Sequence, residues 1–209
     1  MTDATDQSLR DLVTTLCARV DQLRRADDPE ALLAGASAAA DEIENRVGER
    51  CNDEERQALT AVKRFTYNAA ADCWPGWSVP DKRPDARILL SALELAQRSA
   101  GLVKKLALGP LQEATATWLC GAFELALGRY ADASDAFVIA QRVYTAANAP
   151  GLALLTEGYI AIVAQIDGRR ANAGASDLSR IVAQIAAGDF DDRAEWIEQL
   201  RTALKVFTR

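Results

Sequence analysis

The chain has 209 residues, of which 49% are hydrophobic and 26% are charged, and its formal net charge is −6. A chain of this length buries enough apolar surface to fold without disulfides or a structural metal. It contains no histidine, which removes the commonest general base and the commonest metal ligand. The acidic balance also argues against a nucleic-acid-binding protein, because such proteins need clustered Lys and Arg side chains.

The composition favours helices along the whole chain. About one residue in five is alanine, and Leu, Glu, Arg and Gln, which also rank high in helix propensity, are common. The β-branched and aromatic residues never gather into the alternating run that is typical of a strand. The sequence therefore predicts an all-α protein with about nine helices.

The first 73 residues predict a trio of helices. Asp28 is a suitable N-cap residue, and Pro29 suits the first position of the second helix. That helix is expected to end at Gly48, and the third helix to begin near Asn52 or Asp53. The first helix has the clearest period, because its apolar residues share one face: Leu9, Leu12, Val13, Leu16, Cys17, Val20 and Leu23.

Residues 74–84 interrupt the helical pattern. Three prolines and a glycine in this segment prevent any helix from continuing. We therefore expect a connecting loop between the trio at residues 1–73 and a helical stack at residues 85–209, within one continuous domain. The loop also holds Trp74 and Trp77, which are two of the four tryptophans of the chain.

Further helices are predicted after the loop. Their expected bounds are residues 85–108, 110–128, 131–147, 151–166, 170–187 and 191–209. Because the loops between them are short, consecutive helices should pack antiparallel.

Residues 116–140 resemble one tetratricopeptide repeat, which is a pair of antiparallel helices. The matching positions are Gly121, Gly128, Tyr130, Ala133, Phe137 and Ala140. A fainter match follows 40 residues later, at Ala161, Gly168 and Ala173. The resemblance implies antiparallel helix pairs stacked as a short right-handed superhelix, and it implies no catalytic role.

The resemblance also implies a surface for a partner. In tetratricopeptide repeats the first helix of each pair lines the concave face, which here carries Trp118, Ala122, Leu125, Tyr159 and Ile162. This apolar set suits an apolar or amphipathic segment, or a second copy of the chain. The alternative is that the same side chains pack against neighbouring helices.

Trp74 and Trp77 form the second part of the candidate site. Two indole rings on a stiff turn can act as a stacking platform or as an anchor for a partner. The same rings can instead fold back and seal the end of the helical stack, since tryptophan usually buries its area within its own chain. We combine Trp74, Trp77, Trp118 and Tyr159 in one hypothetical partner site, in which Trp77 is expected to be the most exposed.

Two acidic segments allow a different interpretation. Asp191, Asp192 and Glu195 have the spacing of an aspartate-rich magnesium motif, and residues 52–55 are the candidate for a facing cluster. Acidic residues directly after a loop are also what a helix N-terminus favours electrostatically. Helix capping therefore accounts for the same residues without a metal.

The four cysteines, Cys17, Cys51, Cys73 and Cys120, lack the short spacing of a zinc or redox motif. We expect four free thiols in a reducing compartment. The first residues have neither the basic nor the apolar segment of a signal peptide, and no apolar run is long enough to span a bilayer. These features predict a cytoplasmic protein without a membrane partner.

The function that these patterns predict is a non-catalytic helical-repeat scaffold. It binds a protein or peptide partner, or forms a homodimer, without a cofactor and without nucleic acid. The alternative is a small all-helical enzyme or ligand-binding bundle that uses carboxylates and Mg²⁺. A third hypothesis is a purely structural subunit of a larger assembly.

Overall fold

A computed structural model of the chain describes residues 7–48, 51–77, 85–168 and 170–208. These residues form nine α-helices, a single-turn 3₁₀ helix at Pro75–Trp77 and no β-strand, so the all-α prediction is confirmed. Residues 78–84 of the predicted loop, residues 1–6 and residue 209 lie outside the described residues. The helices are α1 Leu9–Arg24, α2 Pro29–Glu44, α3 Asp53–Asp72, α4 Ala86–Lys105, α5 Pro110–Ala126, α6 Tyr130–Ala146, α7 Pro150–Ile166, α8 Ala171–Ala187 and α9 Arg193–Phe207.

Side-chain caps determine where α2 and α3 begin. The Asp28 carboxylate accepts a hydrogen bond from the Ala31 N–H at 3.0 Å, and Pro29 is the first residue of α2. Asn52 and Glu55 form a capping box at the start of α3, with N···O distances of 2.8 and 2.9 Å. A cap of this kind stabilises a protein by about 1 kcal/mol. Both predicted helix starts are confirmed.

The predicted end of α2 at Gly48 is wrong. The helix ends at Glu44, and the following residues tighten into shorter turns, in which the Val47 N–H donates to the Glu44 carbonyl oxygen at 3.1 Å. The Gly48 N–H instead donates to the Glu55 carboxylate at 2.9 Å. Glu55 therefore joins the end of one helix to the start of the next.

Each helix packs against the next along the chain, and α1 also packs against α3, which completes the N-terminal trio. From α4 onward the connections have three to five residues, and such short loops require antiparallel neighbours. The last helix, α9, lies against α7, α8 and the 3₁₀ helix. One cluster of buried side chains includes residues from all nine helices of the described chain. Among the described residues, no helix has both the length and the apolar character needed to cross a bilayer.

Two glycines lie where α5 crosses α6 and where α7 crosses α8 at close range. A Cβ on Gly121 of α5 would lie 3.0 Å from the Ala136 Cβ and 3.2 Å from the Phe137 ring of α6. A Cβ on Gly174 of α8 would lie 2.6 Å from the backbone nitrogen of Gln165 in α7. Both helix pairs therefore cross at a point where one helix has no side chain.

The two helix pairs also share a stop signal. Gly128 follows α5 with a φ of 75°, and Gly168 follows α7 with a φ of 78°. This left-handed conformation after a helix favours glycine, because a side chain would clash with the backbone. The two stops lie 40 residues apart, as the sequence pattern indicates.

Gly121→Leu should lower the free energy of unfolding by about 1–3 kcal/mol, because leucine has to displace side chains of α6. Gly101→Leu is the matched control, since no heavy atom lies within 4 Å of a Cβ built on Gly101 in α4. There leucine should raise stability by about 0.5–1 kcal/mol through its better helix propensity. The melting temperatures of both variants are measured by thermal unfolding followed by circular dichroism. An unchanged melting temperature for Gly121→Leu would argue against the close crossing of α5 and α6.

Candidate functional site

The tryptophan turn, residues 74–77, follows α3 directly. The chain leaves the helix here because Pro75 has no backbone N–H to donate. The Trp74 N–H donates to the Ala71 carbonyl oxygen at 3.1 Å, and the Trp77 N–H donates to the Trp74 carbonyl oxygen at 3.5 Å. A Cβ on Gly76 would overlap the Trp74 ring, so this position requires glycine. The turn is therefore built closely around Trp74.

Trp74 is the centre of an aromatic cluster. Its ring centroid lies 5.0 Å from that of Trp77, 5.5 Å from that of Trp118 and 5.7 Å from that of Tyr159. Only 2% of Trp74 is exposed, and its indole N–H donates to the Ala122 carbonyl oxygen at 3.1 Å. The indole nitrogen of Trp74 thus has its hydrogen-bond acceptor inside the protein. The aromatic cluster comprises Trp74, Trp77, Trp118, Phe137, Tyr159 and Phe207.

Tyr159 joins the aromatic cluster to the last helix. It is fully buried, and its hydroxyl accepts a hydrogen bond from Gln199 Nε2 of α9 at 2.9 Å. Burial raises the pKa of the Tyr159 hydroxyl well above its usual value, because a phenolate would lose its hydration. The hydroxyl is therefore neutral at physiological pH and links α7 to α9.

The prediction of an open concave face is wrong, because all five residues assigned to it are buried. Six of the seven predicted partner-binding residues are buried: Trp74, Trp118, Ala122, Leu125, Tyr159 and Ile162. Part of the reason is the tryptophan turn, because its Trp74 ring lies against Trp118 of α5 and Tyr159 of α7, and α9 packs against α7 as well. A ring of the same chain covers the face that the sequence pattern leaves open, and these six residues belong to the core.

Trp77 is the most exposed member of the aromatic cluster. It is 47% exposed, in agreement with the expectation that it is the most exposed of the candidate rings. Its indole N–H donates to the Ala71 carbonyl oxygen at 2.6 Å. The ring also packs edge-on against Trp74 and lies 6.1 Å from Trp118. The exposed half of a large ring is thus held in a fixed orientation.

An apolar cavity of about 230 Å³, here called the turn pocket, lies beside the tryptophan turn. Because every lining side chain is apolar, an apolar group fits this pocket. The lining comes from elements about 130 residues apart, so no local sequence signal indicates it. The lining residues are Pro75, Ala86, Leu89, Ala126, Leu127, Val206 and Phe207.

The acidic segments of the enzyme hypothesis are explained by helix starts. The Glu55 carboxylate accepts the N–H groups of Gly48 and Asn52, and these hydrogen bonds lower the pKa of Glu55. Asp192 and Glu195 lie at the start of α9, where the helix dipole favours negative charge. In the described part of the chain, no group of three or more Cys, Asp or Glu side chains is arranged to hold a metal ion.

The four cysteines are present as free thiols. Burial raises the pKa of Cys73 and that of Cys120 to about 11, with smaller contributions from the Asp72 and Glu124 carboxylates. Thiols with such pKa values stay protonated at neutral pH and are poor nucleophiles. Cys73 therefore lies next to Trp74 without supplying a nucleophile.

Comparison of the chain with protein-family models, with curated proteins and with solved structures finds no match. The geometry of Trp77 and the turn pocket is therefore the basis on which a function is proposed.

Proposed function

We propose that this chain is a cytoplasmic, non-catalytic helical-repeat scaffold that binds a protein or peptide partner through Trp77 and the turn pocket. The observation that carries the proposal is the 47% exposure of Trp77. A hydrogen bond of 2.6 Å to the Ala71 carbonyl oxygen and the packing of the Trp74 ring hold the indole in place.

A fixed and half-exposed indole is well suited to binding. A tryptophan has about 150–250 Å² to bury, so covering the exposed half contributes about 2 kcal/mol. Because the ring is already ordered, a partner gains this contact without the entropy cost of fixing a mobile side chain. Tryptophan is also among the residues that dominate measured binding energies at interfaces.

The turn pocket defines the chemistry of the partner. A matching segment has one apolar side chain for the turn pocket and a flat apolar or aromatic group for the Trp77 ring. A second copy of the chain meets the second of these requirements, because its own Trp77 is a flat apolar group. A homodimer is therefore one form of the proposed partner.

Two helix pairs support the helical-repeat part of the proposal. The pairs α5–α6 and α7–α8 each have a glycine at the crossing and a left-handed glycine after the first helix. Stacked pairs of this kind give a rigid surface, because each pair is held by its neighbours. The relation of these pairs to tetratricopeptide repeats stays a prediction.

Trp77→Ala should reduce partner capture about tenfold and leave the fold intact. Since the ring is half-exposed, we expect a loss of about 1–2 kcal/mol in the free energy of unfolding, well below that of a buried tryptophan. Wild-type, Trp77→Ala and Ile139→Ala proteins are immobilised at equal density, and the proteins that they capture from native lysate are quantified by mass spectrometry. Ile139 of α6 is the matched control, because it is 53% exposed and lies outside the site.

A protein that wild type and Ile139→Ala capture equally, and that Trp77→Ala captures about tenfold less, supports the proposal. Equal capture by all three proteins contradicts it, as does a stability loss of about 3 kcal/mol or more for Trp77→Ala. Sedimentation equilibrium of the pure protein tests the homodimer. A dimer that dissociates in Trp77→Ala identifies the second copy as the partner.

A further inference from the structure

A groove of about 630 Å³ lies between α2 and α4, and it shares no lining residue with the turn pocket. The two helices run parallel along it, because their first turns line one end and Arg98 of α4 reaches the last turn of α2 at the other. From Ile88 to Arg98 the α4 wall is about 15 Å long at the rise of a helix. This length matches about four or five residues of extended chain, and the volume is typical of binding cavities.

The α2–α4 groove has an apolar floor and an acidic rim. Leu33 of α2 and Leu95 of α4 are each 3% exposed and form the floor, with the partly exposed Ile88 beside them. Glu30 and Glu94 are exposed along the rim. Neither of these glutamates forms an ion pair with another residue in the described ranges. No side chain in the described ranges neutralises their charges.

The arginines that line the groove do not reverse its charge. Arg98 Nη1 lies 2.8 Å from Asp41 Oδ1, and Arg98 Nε lies 2.8 Å from Glu44 Oε1, so one guanidinium faces two carboxylates. Arg87 lies 3.6 Å from the Asp85 carboxylate. Among the described residues, these pairs together with the two rim glutamates give the groove a net negative charge.

We propose that the α2–α4 groove binds a short basic segment of a partner protein. One apolar side chain of the segment lies on the floor, and Lys or Arg side chains lie beside Glu30 and Glu94. The floor stabilises the apolar anchor, while the rim carboxylates repel acidic segments, so that charge selects the partner. This site does not depend on Trp77, and the two proposals can fail separately.

The test uses a short synthetic peptide in which leucines are flanked by lysines, and a control peptide in which glutamate replaces each lysine. Isothermal titration at low salt measures the Kd of both peptides. Glu30→Gln combined with Glu94→Gln should weaken the basic peptide about three- to tenfold, since each exposed charge pair contributes modestly. Ala34→Trp, which fills the groove from an exposed position on its wall, should weaken it more than about tenfold.

Asp135→Asn combined with Glu198→Gln is the matched control, because it removes the same charge from exposed positions on α6 and α9. It should leave the Kd of the basic peptide unchanged, and so should Trp77→Ala. The proposal is overturned if the basic peptide does not bind at about 1 mM, if the acidic peptide binds equally, or if the control pair weakens binding as much as the groove pair. A loss of binding in Trp77→Ala would place the peptide at the tryptophan turn and would also overturn the proposal.

Discussion

Trp74→Ala should lower the free energy of unfolding by about 3–5 kcal/mol, the cost of removing a buried tryptophan. The ring is 2% exposed and lies within 6 Å of three other rings of the aromatic cluster. Its removal leaves a cavity between α5, α7 and the tryptophan turn, and it leaves the Ala122 carbonyl oxygen without the indole donor. Urea unfolding followed by far-ultraviolet circular dichroism measures the loss.

Trp77→Ala is the control for this change, because it removes the same side chain from the same turn. Removal of the half-exposed Trp77 ring should lower the free energy of unfolding by about 1–2 kcal/mol. Equal losses for the two variants would show that both rings have the same environment, and a loss below about 1.5 kcal/mol for Trp74→Ala would show that Trp74 is not buried.

Gly174→Leu should lower the free energy of unfolding by at least about 3 kcal/mol, at or beyond the upper end of the range for overpacked positions. A Cβ at this position would lie 2.6 Å from the Gln165 nitrogen and 2.7 Å from the Ala161 carbonyl oxygen. These are backbone atoms of α7, which cannot rotate away as a side chain can, so α8 has to move as a whole. Thermal unfolding measures the change.

The three glycines should give an order of effects. A side chain added at Gly174 meets backbone atoms, one added at Gly121 meets side chains, and one added at Gly101 meets open space. We therefore expect the first to destabilise most, the second less, and the third to be neutral or stabilising. A melting temperature of Gly174→Leu at or above that of Gly121→Leu would contradict the closer packing of α8 on α7.

Helix starts could be predicted from the sequence because their signals are local. Asp28 caps a helix whose first residue is Pro29, and Asn52 caps a helix through Glu55, three residues later. The end of α2 could not be predicted in the same way. The Gly48 N–H is bound by a carboxylate seven residues further along the chain, and a glycine alone does not indicate that contact.

The members of the aromatic cluster could be predicted in part, but their burial could not. The grouping of Trp74, Trp77, Trp118 and Tyr159 agrees with the contacts of the structure. An apolar helix face has the same pattern whether a partner or the same chain covers it. Only the path of the tryptophan turn decides between these cases, and that path depends on packing against α5, α7 and α9.

The α2–α4 groove gave no signal in the sequence. Glu30 and Glu94 are separated by 64 residues, and each has the pattern of an ordinary exposed helix position. The parallel arrangement of α2 and α4 brings them to one groove.

Trp77 is proposed as the main contact of a binding scaffold, and the affinity of the captured partner for wild type and variants measures that contact. The purified partner is titrated into wild type, Trp77→Ala and Ile139→Ala by isothermal titration calorimetry. Trp77→Ala should bind at least about 30-fold more weakly than wild type, as expected for an interface residue worth about 2 kcal/mol, and Ile139→Ala should bind as wild type does. Equal Kd values for wild type and a folded Trp77→Ala would contradict the account.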